Sequence, residues 1–246
     1  MKPDFSCRAD LQELMDGPEI EPVEMRETLL QLEDINRKLG GYGPSRDGVR
    51  RLLPADRRAF SLLDVGTGGG DFARHISSWS RQRGLDANVH AIDVSPTILE
   101  LARSMTSGGF SCESLSFEAV DLLDLEGEDR FDIVHAGLLL HHFTGAAAEQ
   151  ALAKMLSLSR WGVIVNDIHR HALAYHAISL LTRLRWRNRL IRNDAPISVL
   201  RAFRRRELTD LCRGLSIHKV RIRWCWAFRW QMVLWKRESA SEFGES

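Results

Sequence analysis

Cysteine is scarce and wrongly spaced for chemistry in pairs. Cys7, Cys112, Cys212 and Cys225 form no C-x-x-C unit, which removes a dithiol redox motif and a ribbon-type zinc site and leaves ordinary thiols. Net charge is almost absent as well. A formal +1 excludes a globally basic nucleic-acid binder, although a local basic face stays open. No long apolar run occurs: the stretch around Val134 to Leu140 is far too short to cross a bilayer, and the start, MKPDFSCRAD, has no apolar signal-peptide core, so a soluble cytoplasmic protein is expected. Repeats and low-complexity segments are missing too. Nine histidines are present, but His135, His141 and His142 straddle a strand end, and His169, His171 and His176 a loop and helix start. No metal site is expected from that spacing. What remains is a chain of 246 residues, 44% hydrophobic and 27% charged, long enough for one sizeable core and short for two domains.

The stretch Ser61 to Asp71, SLLDVGTGGGD, organises the rest. Ser61 to Val65 reads as a buried strand; Gly66, Gly68, Gly69 and Gly70 remove every Cβ that would hold a ligand off the backbone; Phe72 to Trp79 restarts a helical pattern. Such a loop offers N–H groups at a helix N-terminus to a phosphate or a carboxylate. A dinucleotide fingerprint, G-x-G-x-x-G, needs its third glycine at position 71, which is Asp71, so the pattern is instead Asp64-x-Gly66-x-Gly68-x-Gly70.

Upstream, Met1 to Pro22 has the prolines and acids of an extended leader. Met25 to Leu39 reads as a helix closed by Gly40-Gly41, and Asp47 to Leu53 as a second short one. Downstream, Asn88 to Asp93 reads as a strand ending in an acid, at the distance where a neighbouring parallel strand delivers a carboxylate to ribose hydroxyls. Ser95-Pro96 then starts a helix. Ser116 to Val120, Phe131 to Ala136 and Gly162 to Val165 supply further strands, and His218 to Trp226 with Arg229 to Lys236 a closing hairpin buried on one face.

The glycine loop resembles the first motif of class I S-adenosylmethionine-dependent methyltransferases, and FDIVHAGLLLHHF resembles the segment of small-molecule members that passes beside the methyl group. INRKLGG, GVIVNDIHRHALAY and NDAPISVLRAF are similar to bacterial methyltransferases of phenolic polyketides and isoprenoid quinones. The resemblance covers roughly residues 62 to 236. It implies a Rossmann-like α/β fold with a seven-stranded, mostly parallel sheet, an antiparallel last strand and an N-terminal helical lid. Residues 1–57 would form leader and lid, 58–238 the methyltransferase domain and 239–246 a tail. It implies S-adenosylmethionine as cofactor, held by Asp64, Gly66, Gly68, Gly70, Asp93, Asp121, Leu122 and Gly137, with Asp121 at the adenine amino group unless it only opens a solvated acidic loop.

Ligands of open parallel sheets gather at strand carboxyl ends. Asn166, Asp167 and Arg170 after the fifth strand, and Tyr175 one turn into the next helix, are therefore expected to meet a small-molecule acceptor. A neutral imidazole can take a phenol proton as the methyl transfers, which makes His169 the first candidate base and His142 the second, with a structural role open for either. Two rivals stand beside this reading. Arg183, Arg185, Arg187, Arg189, Arg192, Arg201, Arg204, Arg205 and Arg206 could track the phosphates of RNA, yet the Asn/Asp-Pro-Pro-aromatic tetrapeptide of many base-modifying enzymes is missing. A cofactor-bound pseudo-enzyme is the other. Ala172 to Arg192 reads as one basic helix that either packs on the sheet or lies on an anionic membrane.

Overall fold

The computed structural model describes residues 3–17, 20–106, 114–186 and 188–236. Cys112, Arg187, Pro18 and the expected tail at 239–246 lie outside the described residues. In chain order the elements are α1 Pro22–Lys38, α2 Tyr42–Leu52, β1 Ala59–Val65, α3 Asp71–Arg81, β2 Asp86–Asp93, α4 Pro96–Thr106, β3 Leu115–Ala119, β4 Phe131–Gly137, α5 Gly145–Leu158, β5 Ser159–Ile168, α6 Ala172–Arg185, α7 Arg189–Arg201, α8 Arg205–Leu211, β6 Ile217–Cys225 and β7 Arg229–Lys236.

Seven strands form one sheet in the order β3-β2-β1-β4-β5-β7-β6. β1 through β5 pair in parallel, and β7 inserts antiparallel between β5 and β6. The central strands are apolar on both faces because helices cover both. Leu63, Val65, Val134, Val163 and Met232 pack with α5 and α8 on one side. Leu62, Ile133, Ile164 and Val233 pack with α2 and α3 on the other. Val49 and Leu52 of α2 belong to that second cluster, so α2 is a layer of the core, while α1 lies against α4 and α7.

Three elements differ from the sequence expectation. β5 runs ten residues, not four, because Asn166 and Asp167 stay in register with Gln231 and Trp230 of β7; polarity there reflects partners on either face rather than a strand end. α2 begins at Tyr42, since Pro44 in a first turn has no N–H to waste. The single basic helix of 172–192 is two helices: Trp186 turns extended, and the Asn188 side chain accepts from Leu190 N and Ile191 N to cap α7. The break buries Leu190 and Ile191 while Leu173, Leu180 and Leu184 of α6 stay exposed. No helix among the described residues is long and apolar enough to cross a membrane.

The expected loose leader is tied down. Arg8 donates to the carbonyls of Arg201, His141 and Phe143, and the Asp194 carboxylate accepts from Leu14 N and Met15 N at 2.7 and 2.9 Å. Residues 3–17 thus form a strap across α7 and the turn after β4.

Candidate active site at the carboxyl end of the sheet

The loop after β1 turns back over the sheet edge with Gly66, Gly68 and Gly70 at φ +64°, +53° and +72°, the left-handed region in which a Cβ is costly. Gly66 has a second reason to lack a side chain: a Cβ there would lie 2.6 Å from Leu139 Cδ1. The loop is pinned from both neighbours. Thr67 Oγ1 donates to Asp64 Oδ2 at 2.7 Å, and Gly68 N donates to Asp93 Oδ2 at 3.0 Å. The other Asp93 oxygen accepts from Ser95 N at 3.0 Å and so starts α4. Burial pushes the Asp93 carboxyl upward even though these N–H groups pull it down. Asp121 is exposed and accepts from Leu123 N at 2.9 Å, opening a short turn in which Leu122 is buried.

Behind the loop sits a cavity of about 40 Å³ walled by Asp64, Gly66, Gly137 and Asn166 from the sheet, Asn36 and Tyr42 from the N-terminal helices, and Arg229. A buried relay floors it. Asp64 Oδ1 lies 2.7 Å from His135 Nδ1, His135 Nε2 2.8 Å from Ser45 Oγ, and Asn166 Nδ2 donates to Ser45 Oγ at 2.9 Å and to Gly41 O at 2.7 Å. With Asp64 accepting from Nδ1–H, the serine hydroxyl and Nε2 form the next link of the chain. Asn166 Oδ1 is buried and has no partner in the protein, leaving one acceptor for a ligand donor. Opposite, the buried Arg229 donates to Asn36 Oδ1 at 2.8 Å, and Asp71 Oδ2 accepts from Tyr42 Oη at 2.7 Å and Asn36 Nδ2 at 3.1 Å. Burial, with Asp71 beside it, raises the tyrosine hydroxyl far above its usual range. Leu138 stands at φ +54°, a backbone conformation unusual for leucine, at the cavity wall.

Successive side chains of a strand point to opposite faces, and this separates the polar cluster after β5. Asn166 meets the cavity. Asp167 turns to the strap side, where it accepts from His141 N at 2.9 Å, faces His141 Nδ1 at 2.7 Å and is fully buried. Burial alone would lower His141, but Asp167 and Glu13 outweigh it and hold the imidazole up at about 9. The expectation that Asp167 contacts acceptor is therefore corrected: the residue is 1% exposed and both its oxygens face His141 on the strap side. The same holds for Arg170. It is 1% exposed, forks onto Glu207 at 3.0 and 2.6 Å, and donates to the carbonyls of Ala202 and Phe5; no donor is directed to a ligand site. Tyr175 packs edge-on against Phe5 of the strap. His169 is half-buried between His171 and Trp230, away from the cavity wall, with Nδ1 unpartnered. Burial first, then the nearby His171, Arg204 and Arg170, bring it down to about 4. His142 faces Glu13 and Asp16.

The structure thus gathers Asp64, Gly66, Gly137 and Asn166 around one cavity, with Gly68 and Asp93 on the adjoining loop. It adds Ser45, His135, Leu138, Tyr42 and Arg229, which sequence reading missed. His135 inside the apolar run FDIVHAG was the available signal for one of them.

Residues 62–162 match the profile of a family described as a methyltransferase domain. Over that span the chain reads as a methyltransferase domain. No curated protein matches the chain in sequence. Among solved structures, a SAM-dependent methyltransferase from Aquifex aeolicus superposes with a TM-score of 0.62 at 13% identity, over 89% of this chain and 100% of that one. Human N-acetylserotonin methyltransferase in complex with SAM gives 0.61 at 14%, over 88% of this chain and 56% of that one. An O-methyltransferase family 2 protein from Planctomyces limnophilus in complex with apigenin gives 0.63 at 14%, over 89% and 63%. At these identities the likeness is one of fold. The residues present suit S-adenosylmethionine on their own chemistry: left-handed glycines that keep side chains out, a half-buried acid at the end of β2, and an orphaned acceptor at Asn166.

Proposed function

We propose that this methyltransferase acts on a small phenolic, polyketide or quinone-type acceptor, at oxygen or carbon. The observation that carries the proposal is the closure of the sheet's carboxyl end by the chain's own N-terminal segments. α1 and α2 contribute Asn36, Tyr42 and Ser45 to the cavity wall, which narrows the access at that end of the sheet and favours a small acceptor over a polymer. Neighbours support the class, since one was solved with apigenin and another is named for N-acetylserotonin. The arginines speak against RNA, because several are committed internally: Arg189 to Glu24, Arg192 to the carbonyls of Trp186 and Arg183, and Arg201 to that of His142.

In this reading Gly66, Gly68 and Gly70 pass beneath the cofactor, Asp93 takes the ribose hydroxyls, Asp121 and Leu122 N–H meet the adenine, and Gly137 with Asn166 flanks the methionine end. The cofactor supplies a methyl group on a cationic sulfur, already a good electrophile, so alignment is the chain's main task. His169 lies away from the cavity wall, and its imidazole, held down to about 4, is a weak base for a phenol near ~10, so a proton it takes leaves only as the methyl arrives.

Incubation of the protein with isotopically labelled S-adenosylmethionine and a panel of phenols, quinones and bulk RNA tests the proposal by mass spectrometry. Label in a phenolic product is expected; label in RNA alone would refute it. Should His169 serve as base, kcat/KM will fall on the acid side near pH 4, where the imidazole gains its proton, and His169→Ala will lower turnover without changing cofactor affinity. An unchanged rate leaves alignment alone.

A further inference from the structure

We propose that Glu13, His141 and His142 form a binding site for one divalent transition-metal ion, closing the N-terminal strap onto the turn after β4. His141 Nε2 lies 3.6 Å from Glu13 Oε1, and His142 Nε2 3.9 Å from Glu13 Oε2. One donor atom from each of the three residues falls within 4.8 Å of the others. Donors held at about 2.0–2.2 Å around a tetrahedral ion stand about 3.4 Å apart, so small side-chain rotations complete the site. Among the described residues this is the one cluster of its kind.

What lies behind the donors argues for more than coincidence. Each imidazole has its other nitrogen on a carboxylate: His141 Nδ1 is 2.7 Å from Asp167 Oδ1, and His142 Nδ1 is 3.4 Å from Asp16 Oδ2. Ser198 Oγ donates to Glu13 Oε1 at 2.8 Å. Carboxylates in that position orient a ligating histidine and raise its basicity. Charge agrees. Glu13, Asp16 and Asp167 face one guanidinium, Arg201, whose Nη1 is 3.7 Å from Glu13 and 3.5 Å from Asp16. With neutral imidazoles the group is two charges negative. That Arg201 nitrogen is buried and makes no hydrogen bond, so it stands beside the carboxylates without occupying the donors. Two imidazoles and one carboxylate select zinc, cobalt or iron(II) over the oxygen-loving magnesium and calcium.

Spacing hid the site, because its carboxylate comes from the strap. The test strips the full chain with a chelator and titrates it with Co²⁺, read by visible d–d absorption, and with Zn²⁺, read by bound metal per chain and by melting temperature. One equivalent, an absorption band of low-symmetry cobalt and a raised melting temperature are expected, with the band lost in Glu13→Gln and in His142→Asn. His142 is partly exposed, so its variant keeps the fold, as binding of S-adenosylmethionine will verify. No saturable cobalt band in the parent protein, or an unchanged band in His142→Asn, overturns the proposal.

Discussion

Replacing Gly66 with valine should weaken S-adenosylmethionine binding by at least a hundredfold, about 2.7 kcal/mol, when measured by calorimetry. Two costs combine at this position. The backbone stands at φ +64°, where a side chain costs roughly 1–2 kcal/mol and a β-branched one more. The new Cβ also arrives 2.6 Å from Leu139 Cδ1, so the leucine must swing aside at the cavity wall, and the valine methyls project over the loop that Asp93 holds through Gly68 N. Gly84 supplies the control. It has the same φ, +64°, and open space where a Cβ would stand, with nothing within 4 Å, so Gly84→Val bears the backbone strain without the collision. If both variants bind the cofactor as the parent does, the loop after β1 is not the cofactor's seat.

Arg170→Met should lower unfolding stability by about 3 kcal/mol, the smaller end of what breaking a buried ion pair costs, since Glu207 is a third exposed. The substitution leaves the carbonyls of Ala202 and Phe5 without donors and Glu207 without its fork. Urea denaturation reads the loss, and Arg170→Met with Glu207→Gln should restore part of it, because the glutamine removes the unpaired charge and keeps an oxygen for Arg204 N. The pH dependence has a definite sign. Burial raises the Glu207 carboxyl, but Arg170 outweighs it and the net direction is down. A carboxyl lowered on folding stabilises above its unfolded value and loses that contribution as pH falls through the folded one. The gap between parent and Arg170→Met should therefore narrow in acid. A stable Arg170→Met with impaired turnover would instead return Arg170 to the acceptor.

The fold was legible because its signals are local and mutually consistent. A strand, a glycine loop and a helix at Ser61 to Trp79, an acid at the end of the next strand, and an alternating hairpin at the end imply this sheet. Where reading failed, the deciding contacts were long-range. Nothing local distinguishes Asn166 from Asp167; only the face each takes in β5 sends one to the cavity and the other to His141. Arg170 reads as a cation near a ligand until Glu207 is folded against it. The helix of 172–192 had continuous apolar periodicity, and Asn188, a good cap, broke it. Ser45, Tyr42 and Arg229 converge from opposite ends of the chain, beyond the reach of any spacing rule.

The strap means that residues 3–17, though mostly exposed, send single side chains into the interior. Arg8 lies 3.8 Å over the ring of Phe203, and Glu13 is 7% exposed. Trimming back to α1, as one would trim an unstructured leader, would open a hole beside the turn after β4 and leave Asp194, His141 and Arg201 facing water. A protease that nicks residues 8–13 therefore acts on contacts that hold the turn after β4 in place.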